Sequence, residues 1–443
     1  MKIIYSIIIT LVSAVALHAG TLVTFDAEVK SRIEHDGGKT NTVERYGSKV
    51  FLGVDVIDVE ADSRITVYDY KDRKIYRSAA DKEGFIKGSL FSDIGFRVSE
   101  FQNRLFLGNA LRAADIQDNP MDRVLMEHLF SLSSGEAANL ERKENKSSIV
   151  FKHNGKLLLE YSCHGTKVSQ ETVEKFTLYM RTTFGIHPDI LKKICELNYI
   201  PEQITLCRYN TTKIEEIHLS LKQVQRDFIR PERKLQTEII PDDDPVFALA
   251  LQVREMDVKA YTTACKSILK RAPLLAGKEK YLDAAALFVG YGLASGQQTM
   301  PQMFFEWKDK IVADSDVQAM FSALSPQSKE DAEKAVETCA ALAEKADDGR
   351  FALMIFRANM LDSLGKPYEA VESFLVALTQ EPAIVGAWKD LGDIYYNIYQ
   401  SEKAWVCWDA GRALNPKHKL FEAVYKMEMS LLADHSEFFM KIP

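Results

Sequence analysis

Apolar and polar residues alternate through the first half of the chain and recur every three or four positions through the second. The stretch TLVTFDAEVKSRIEHDGGKTNTVERYG, from Thr21, alternates and then turns at Asp36-Gly37-Gly38. KVFLGVDVIDVEADSRITVYDYKDRKIYRSA keeps the strand period and turns near Lys71-Asp72-Arg73. There Thr66, Tyr68 and Tyr70 share one face and Ile65 and Val67 the other, which suits a strand covered on both sides. Helical stretches follow at roughly 90–113 and 121–132. SSIVFKHNGKLLLEYSC predicts a hairpin around Asn154-Gly155. Helices at about 169–184 and 188–197 precede QITLCRYNTTKIEEIHLSLKQVQ, two strands that turn at Asn210. This order predicts an α+β domain over 20–235, a curved antiparallel sheet covered by helices.

The next segment, IIPDDDPVF, sets Asp242, Asp243 and Asp244 between Pro241 and Pro245 and reads as a linker, 236–245. Flanking prolines favour plain solvation of the aspartates over cation binding. Beyond it, helical periodicity runs through 246–350 and onward. In AWKDLGDIYYN, Trp388, Leu391, Gly392 and Tyr395 fall on one stripe. Ala370, Phe374, Ala377 and Pro382 recur as Ala404, Trp408, Gly411 and Pro416 after 34 residues.

Small residue, aromatic, small residue and proline in that order resemble the tetratricopeptide repeat, in two copies over 351–384 and 385–418. The first copy carries Met354, Arg357, Ala358 and Leu361 where the second has Trp, Leu, Gly and Tyr. The resemblance implies two antiparallel helices per copy, with Gly392 and Ala404 at their closest approach and Trp408 between units. It implies an all-α solenoid following the α+β domain, with degenerate units over 246–350 and a capping helix over 419–443. A concave face would then present Asn359, Asp362, Lys389, Asp393, Tyr396 and Asn397 to a peptide. Capture of a terminal carboxylate is not expected, because Lys389 stands alone with Asp393 one turn on.

From Thr21 to Arg230 the strand order, with SRITVYDYKDRKIY as a strand-turn-strand, resembles periplasmic lipoprotein-carrier domains. That resemblance implies an apolar cavity for lipid or acyl chains, with Phe91, Phe96, Phe101, Leu105 and Phe106 as lining residues. The competing reading makes these five the ordinary core side of an amphipathic helix.

The opening MKIIYSIIITLVSAVALHAGT has a basic start, a short apolar run and small residues, and reads as an export signal cut after Ala16 or Ala19. The expected location is therefore periplasmic or extracellular. A net charge of −7 gives no basic footprint for nucleic acid. Of the six cysteines, Cys265, Cys339 and Cys407 fit buried thiols, and Cys195 and Cys207 form the best candidate pair. Cys163-His164 offers a nucleophile beside a base, but adjacent strand residues face apart. His128, His153, His187 and His218 lack ligand spacing, and no phosphate-loop or hydrolase motif occurs. The sequence thus predicts a non-enzymatic scaffold that needs no cofactor or metal and binds a protein or peptide; a lipid-handling carrier is the alternative.

Overall fold

The computed structural model describes residues 19–35, 38–79, 83–114, 122–135, 138–210, 212–241, 244–296 and 299–440. The export-signal reading falls almost wholly outside them, as do Asp36, Gly37, Asp242 and Asp243. The chain divides into two compact units: 1–239 with 430–443, and 240–429. The division at 239/240 falls inside the expected linker. The chain end was expected to cap the helices, yet from Ser430 onward it belongs to the first unit.

In chain order the first unit contains β1 (Ala19–His35), β2 (Gly38–Leu52), β3 (Val56–Ala61), β4 (Arg64–Asp69), β5 (Lys74–Ser78) and β6 (Phe85–Ser89). Next come α1 (Leu90–Ala113), α2 (Arg123–Phe130), β7 (Glu141–Glu144), β8 (Ser148–His153), β9 (Lys156–Ser162) and β10 (Gly165–Lys167). Then follow α3 (Gln170–Phe184), α4 (Pro188–Cys195), β11 (Tyr199–Pro201), β12 (Gln203–Tyr209) and β13 (Lys213–Ile229). Eleven strands form one sheet in the order β6-β5-β4-β3-β2-β1-β13-β12-β9-β8-β7, while β10 and β11 pair separately. Every ladder is antiparallel. The sheet joins at its centre through the longest separation in sequence, with Ala19 opposite Ile229 and Ile33 opposite Lys213. Register shifts at Gly20/Leu22 and Thr24/Phe25 bend these strands.

Alternation along β1 decides which face is covered. Val23, Phe25 and Ala27 are buried, whereas Asp26 and Lys30 are exposed and pair with Lys222 and Glu28. Against the buried face lies α3, with Phe25 and Phe176 ring centroids 6.1 Å apart and Tyr179 a further 6.0 Å from Phe176. From Phe176 to Phe184 every residue of α3 but Thr183 is buried, polar Thr177, Arg181 and Thr182 included. Toward β6 the opposite face is covered as well, by a cluster of Phe51, Val56, Val67, Tyr76 and Phe85 with Leu235 packed on it. Asp58 fixes that covering segment through Arg230 at 3.2 Å and Arg233 at 3.1 Å.

The hairpin at Asn154-Gly155 forms as expected, both residues having positive φ. Another turn, at Asp62-Ser63, also has positive φ at both positions but no glycine to announce it. The helices start on side-chain caps: Ser89, Asp122, Ser169 and His187 each accept backbone N–H groups.

The second unit is helical: α5 (Pro245–Arg254), α6 (Val258–Ala276), α7 (Tyr281–Ser295), α8 (Gln302–Phe305), α9 (Lys308–Ala313) and α10 (Ser315–Ala323). Then come α11 (Lys329–Lys345), α12 (Arg350–Ser363), α13 (Pro367–Gln380), α14 (Val385–Asn397), α15 (Ser401–Leu414) and α16 (Glu422–Asp434), the last running on into Ser430 and the first unit. Helices α12 with α13 and α14 with α15 are contacting pairs, one for each sequence copy. Ala370, Phe374, Trp388, Leu391, Tyr395, Ala404 and Trp408 are buried, while Pro382 and the exposed Pro416 follow the second helix of each pair.

Gly392 permits the close approach of α14 and α15, since a Cβ there would lie 2.4 Å from the Trp408 ring and 3.1 Å from the Ala404 carbonyl. Trp388 Nε1 donates to the Pro382 carbonyl at 2.8 Å, fixing the entry to α14. Phe421 packs where Gly411 lacks a side chain, and Glu428 of α16 accepts from Trp405 Nε1 at 3.0 Å and pairs with Arg412 at 2.9 Å.

Packing in this unit is not confined to sequence neighbours, as plain solenoid stacking would have it. Helix α5 packs on α15 and α13, and α7 packs on α12 and α14. Asp244 caps α5 and pairs with Lys403 of α15 at 2.7 Å. Gly290 of α7 sits against the Phe351 ring. Arg271 of α6 reaches Asp348 at 2.8 Å and Glu381 at 3.0 Å.

Candidate binding surface on the helical unit

The six residues expected on one groove lie on α12 and α14. Asn359, Asp362 and Asn397 are exposed, and Lys389, Asp393 and Tyr396 are half-buried. Because α7 covers the start of α12 and α14, the surface left open is their C-terminal part. Lys389 and Asp393, one turn apart on α14, form an ion pair. Trp408 Nε1 donates to Asp393 Oδ1 at 3.1 Å and to the Lys389 carbonyl at 3.3 Å. The Tyr396 ring stands 5.7 Å from Trp408 and 5.9 Å from Trp405, so the ion pair and the aromatic cluster share a scaffold.

Sequence reasoning missed Asp390. It sits beside Lys389 and three residues before Asp393, a spacing that would have revealed it. Burial raises its carboxyl to about 6, the charge of Asp393 adds to the rise, and Lys389 and a hydrogen bond with Asn359 oppose it. Burial and then Asp393 raise Asp362 too. Three neighbouring carboxylates thus have Lys389 paired with one of them, a local surplus of negative charge. Next to them, a hollow of about 960 Å³ lies between the start of α11 and the end of α12, lined by Ser328, Lys329, Asn359 and Ser363.

The histidines of the first unit are less isolated than their spacing suggested. Glu127, His128 and His187 are all buried. Glu127 lies 2.7 Å from His187 Nε2 and 3.0 Å from Arg123, and accepts from the Ser134 hydroxyl at 2.7 Å. His187 Nδ1 accepts from the Asp189 N–H and His128 Nδ1 from the His187 N–H, so each neutral ring carries its proton on Nε2. His187 then donates to Glu127, and His128 donates to the Cys207 carbonyl at 2.9 Å. Burial lowers His128 to about 3 against that carbonyl. At Glu127 burial acts upward, but the bonds from His187, Ser134 and Arg123 outweigh it and hold the carboxyl at about 2. This network fastens α2, α4 and β12 and presents no group to a substrate.

Other expected chemistry disperses. Cys163 and His164 lie in the bend between β9 and β10; the thiol is near the Asn145 carbonyl and the imidazole pairs with Glu202 at 3.1 Å. Cys195 and Cys207 are both free, contrary to the pairing weighed from sequence. One ends α4 near Glu174 and Arg181, and the other is buried on β12 near Tyr209 and Glu216. Cys265, Cys339 and Cys407 are buried free thiols. Among the described residues no group of three or more His, Cys, Asp and Glu could hold a metal, and no helix is long and apolar enough to cross a membrane.

The aromatic residues of α1 do not share one environment. Phe91 packs on Phe439 and Phe101 on Phe130, while Phe96 is at the surface and Phe106 is 74% exposed. Leu105 is half-buried.

No protein-family model matches this chain, and no curated protein matches it. The tetratricopeptide resemblance therefore rests on the residues and helices described above. Among solved structures the chain is similar to one described as "lipid-protein interactions in lipovitellin", at 11% identity over 90% of this chain and 53% of that one. The chain thus spans about half the length of that structure, and at a TM-score of 0.19 the likeness carries no argument about fold or ligand.

Proposed function

We propose that the chain is an exported, non-enzymatic scaffold whose α12–α15 helices act as a tetratricopeptide-like pair and bind a basic segment of a protein partner. The observation that supports this is the carboxylate surplus of Asp362, Asp390 and Asp393 beside the Tyr396–Trp405–Trp408 cluster. A lysine or arginine laid across α12 and α14 would neutralise the surplus, and its alkyl stem would rest on Tyr396. The test is fluorescence anisotropy with Lys/Arg-rich and Glu-rich peptides of equal length. The basic peptide binds, and its affinity rises as pH rises through 6, where Asp390 ionises. Asp393→Asn weakens it about tenfold, near the ~1.5 kcal/mol of a hydrogen bond to a charged group. Equal binding of both peptides would sink this reading.

The exposed Phe96, Phe106 and Leu107 of α1 favour a second reading, a lipid-handling first unit like the carrier domains it resembles in strand order. Native mass spectrometry of the protein from its own host separates the two. Co-purified lipid supports the carrier, and a co-purified polypeptide that the basic peptide displaces supports the scaffold.

A further inference from the structure

The segment from Ser430 onward packs within the first unit, apart from the acidic groove. After α16, Ser436–Phe438 forms a single 3₁₀ turn. The Phe438 ring is fully buried, with the Arg181 guanidinium 5.2 Å and the Arg97 guanidinium 5.7 Å from its centroid. Phe439 follows, 5.8 Å from the Phe91 ring.

The receiving side chains are positioned without the tail. Arg181 donates to the Ser131 carbonyl at 3.0 Å, and Arg97 donates to the Thr182 carbonyl at 2.6 Å and pairs with Asp93 at 3.2 Å. The tail's own backbone bonds are local, from Phe438 N–H to the His435 carbonyl and from Phe439 N–H to the Ser436 carbonyl, each 3.1 Å. Ring burial and two cation–π contacts therefore do most of the holding. Burial lowers the Arg181 guanidinium to about 10, and the charge of nearby Glu437 opposes that fall. Past the tail a hollow of about 520 Å³ continues, lined by Glu171, Lys175, Lys192, Cys195, Glu437 and Met440.

We propose that this face is an acceptor site for peptide segments carrying a Phe pair beside an acidic residue, and that the protein's own Ser436–Met440 fills it in cis. The tail is then a competitor that a partner segment must displace.

The test uses a labelled peptide of residues 435–443, HSEFFMKIP, titrated into three proteins: the full chain, a chain ending at Asp434, and full-length Phe438→Ala. With a tethered competitor at an effective concentration on the order of millimolar, the full chain binds the peptide roughly a hundredfold more weakly than the shortened chain. Phe438→Ala falls between them, and a peptide with alanine at its first phenylalanine does not bind. Circular dichroism checks that each variant is folded. Equal affinity for the full and shortened chains overturns the proposal, as does no binding to either folded variant. Failure of both variants to fold overturns it too, by making the tail an obligatory part of the core.

Discussion

Two buried charge clusters, one in each unit, are handled in opposite ways. In the sheet unit, Glu127 is ringed by His187, Ser134 and Arg123, and both buried imidazoles have a partner at each nitrogen. In the helical unit, Asp390 shares Lys389 with Asp393, feels the charge of Asp362 as well, and stays under-compensated. A satisfied network holds a fold together. A surplus of one sign at a half-open surface costs stability and is retained at binding sites. The contrast fits a structural role for the first cluster and the recognition role proposed above for the second.

The largest effect expected from breaking the contrast is at Glu127. Glu127→Ala leaves the buried His187 Nε2–H and the Ser134 hydroxyl without their acceptor and destabilises the first unit by about 3 kcal/mol. Hydrogen exchange should quicken in β1, β12 and β13. All four tryptophans, Trp307, Trp388, Trp405 and Trp408, belong to the helical unit, and their fluorescence midpoint in denaturant should hardly move.

Acid should drive the two units apart. His128 has a folded pKa of about 3, below its ordinary 6.5, so the unfolded chain takes up the proton first. The first unit keeps this contribution above pH 6.5 and loses about 1.4 kcal/mol for each pH unit from 6.5 down to 3. Glu127, held at about 2, adds a further loss below 4.5. Asp390 has the opposite sign: its folded carboxyl, raised to about 6, takes up the proton before the unfolded one. The helical unit therefore gains stability as pH falls from 6 to 3.8. Denaturant titrations at pH 7, 5 and 4 should show tryptophan-reported stability rising while exchange in the sheet quickens.

The smallest effect is Asp390→Asn. It removes an under-compensated charge and should stabilise the helical unit by about 1 kcal/mol at pH 7, discounted for the solvent that still reaches the site. The same change should flatten the acid response of the tryptophan signal. A destabilised variant would instead make Asp390 a structural residue like Glu127.

What the sequence disclosed divides along the same line. The α12–α15 pairs were legible because their packing is local: Gly392, Ala404 and Trp408 fix one helix contact within a few turns of chain. The Asn154-Gly155 hairpin was legible because glycine marks its positive φ, and Asp62-Ser63 was not, because neither residue does. Pairings across long separations left no trace. Val29 faces Ile217, Glu127 meets His187, and Phe438 meets Arg181, none with a motif of its own. The packing of α5 and α7 on the later helices was hidden for the same reason. Of the groove, the polar residues came from the repeat resemblance, but the titration of Asp390 also depends on Asn359 and Asp362 of another helix.

The discontinuous first unit also sets a clock. A ribosome releases Arg97 and Arg181 well before Phe438, with the entire helical unit made in between. At roughly 5–20 residues per second that interval lasts on the order of tens of seconds. During it the nascent sheet carries its two guanidinium groups uncapped, so each new molecule passes once through a state in which an aromatic segment of another chain meets no rival.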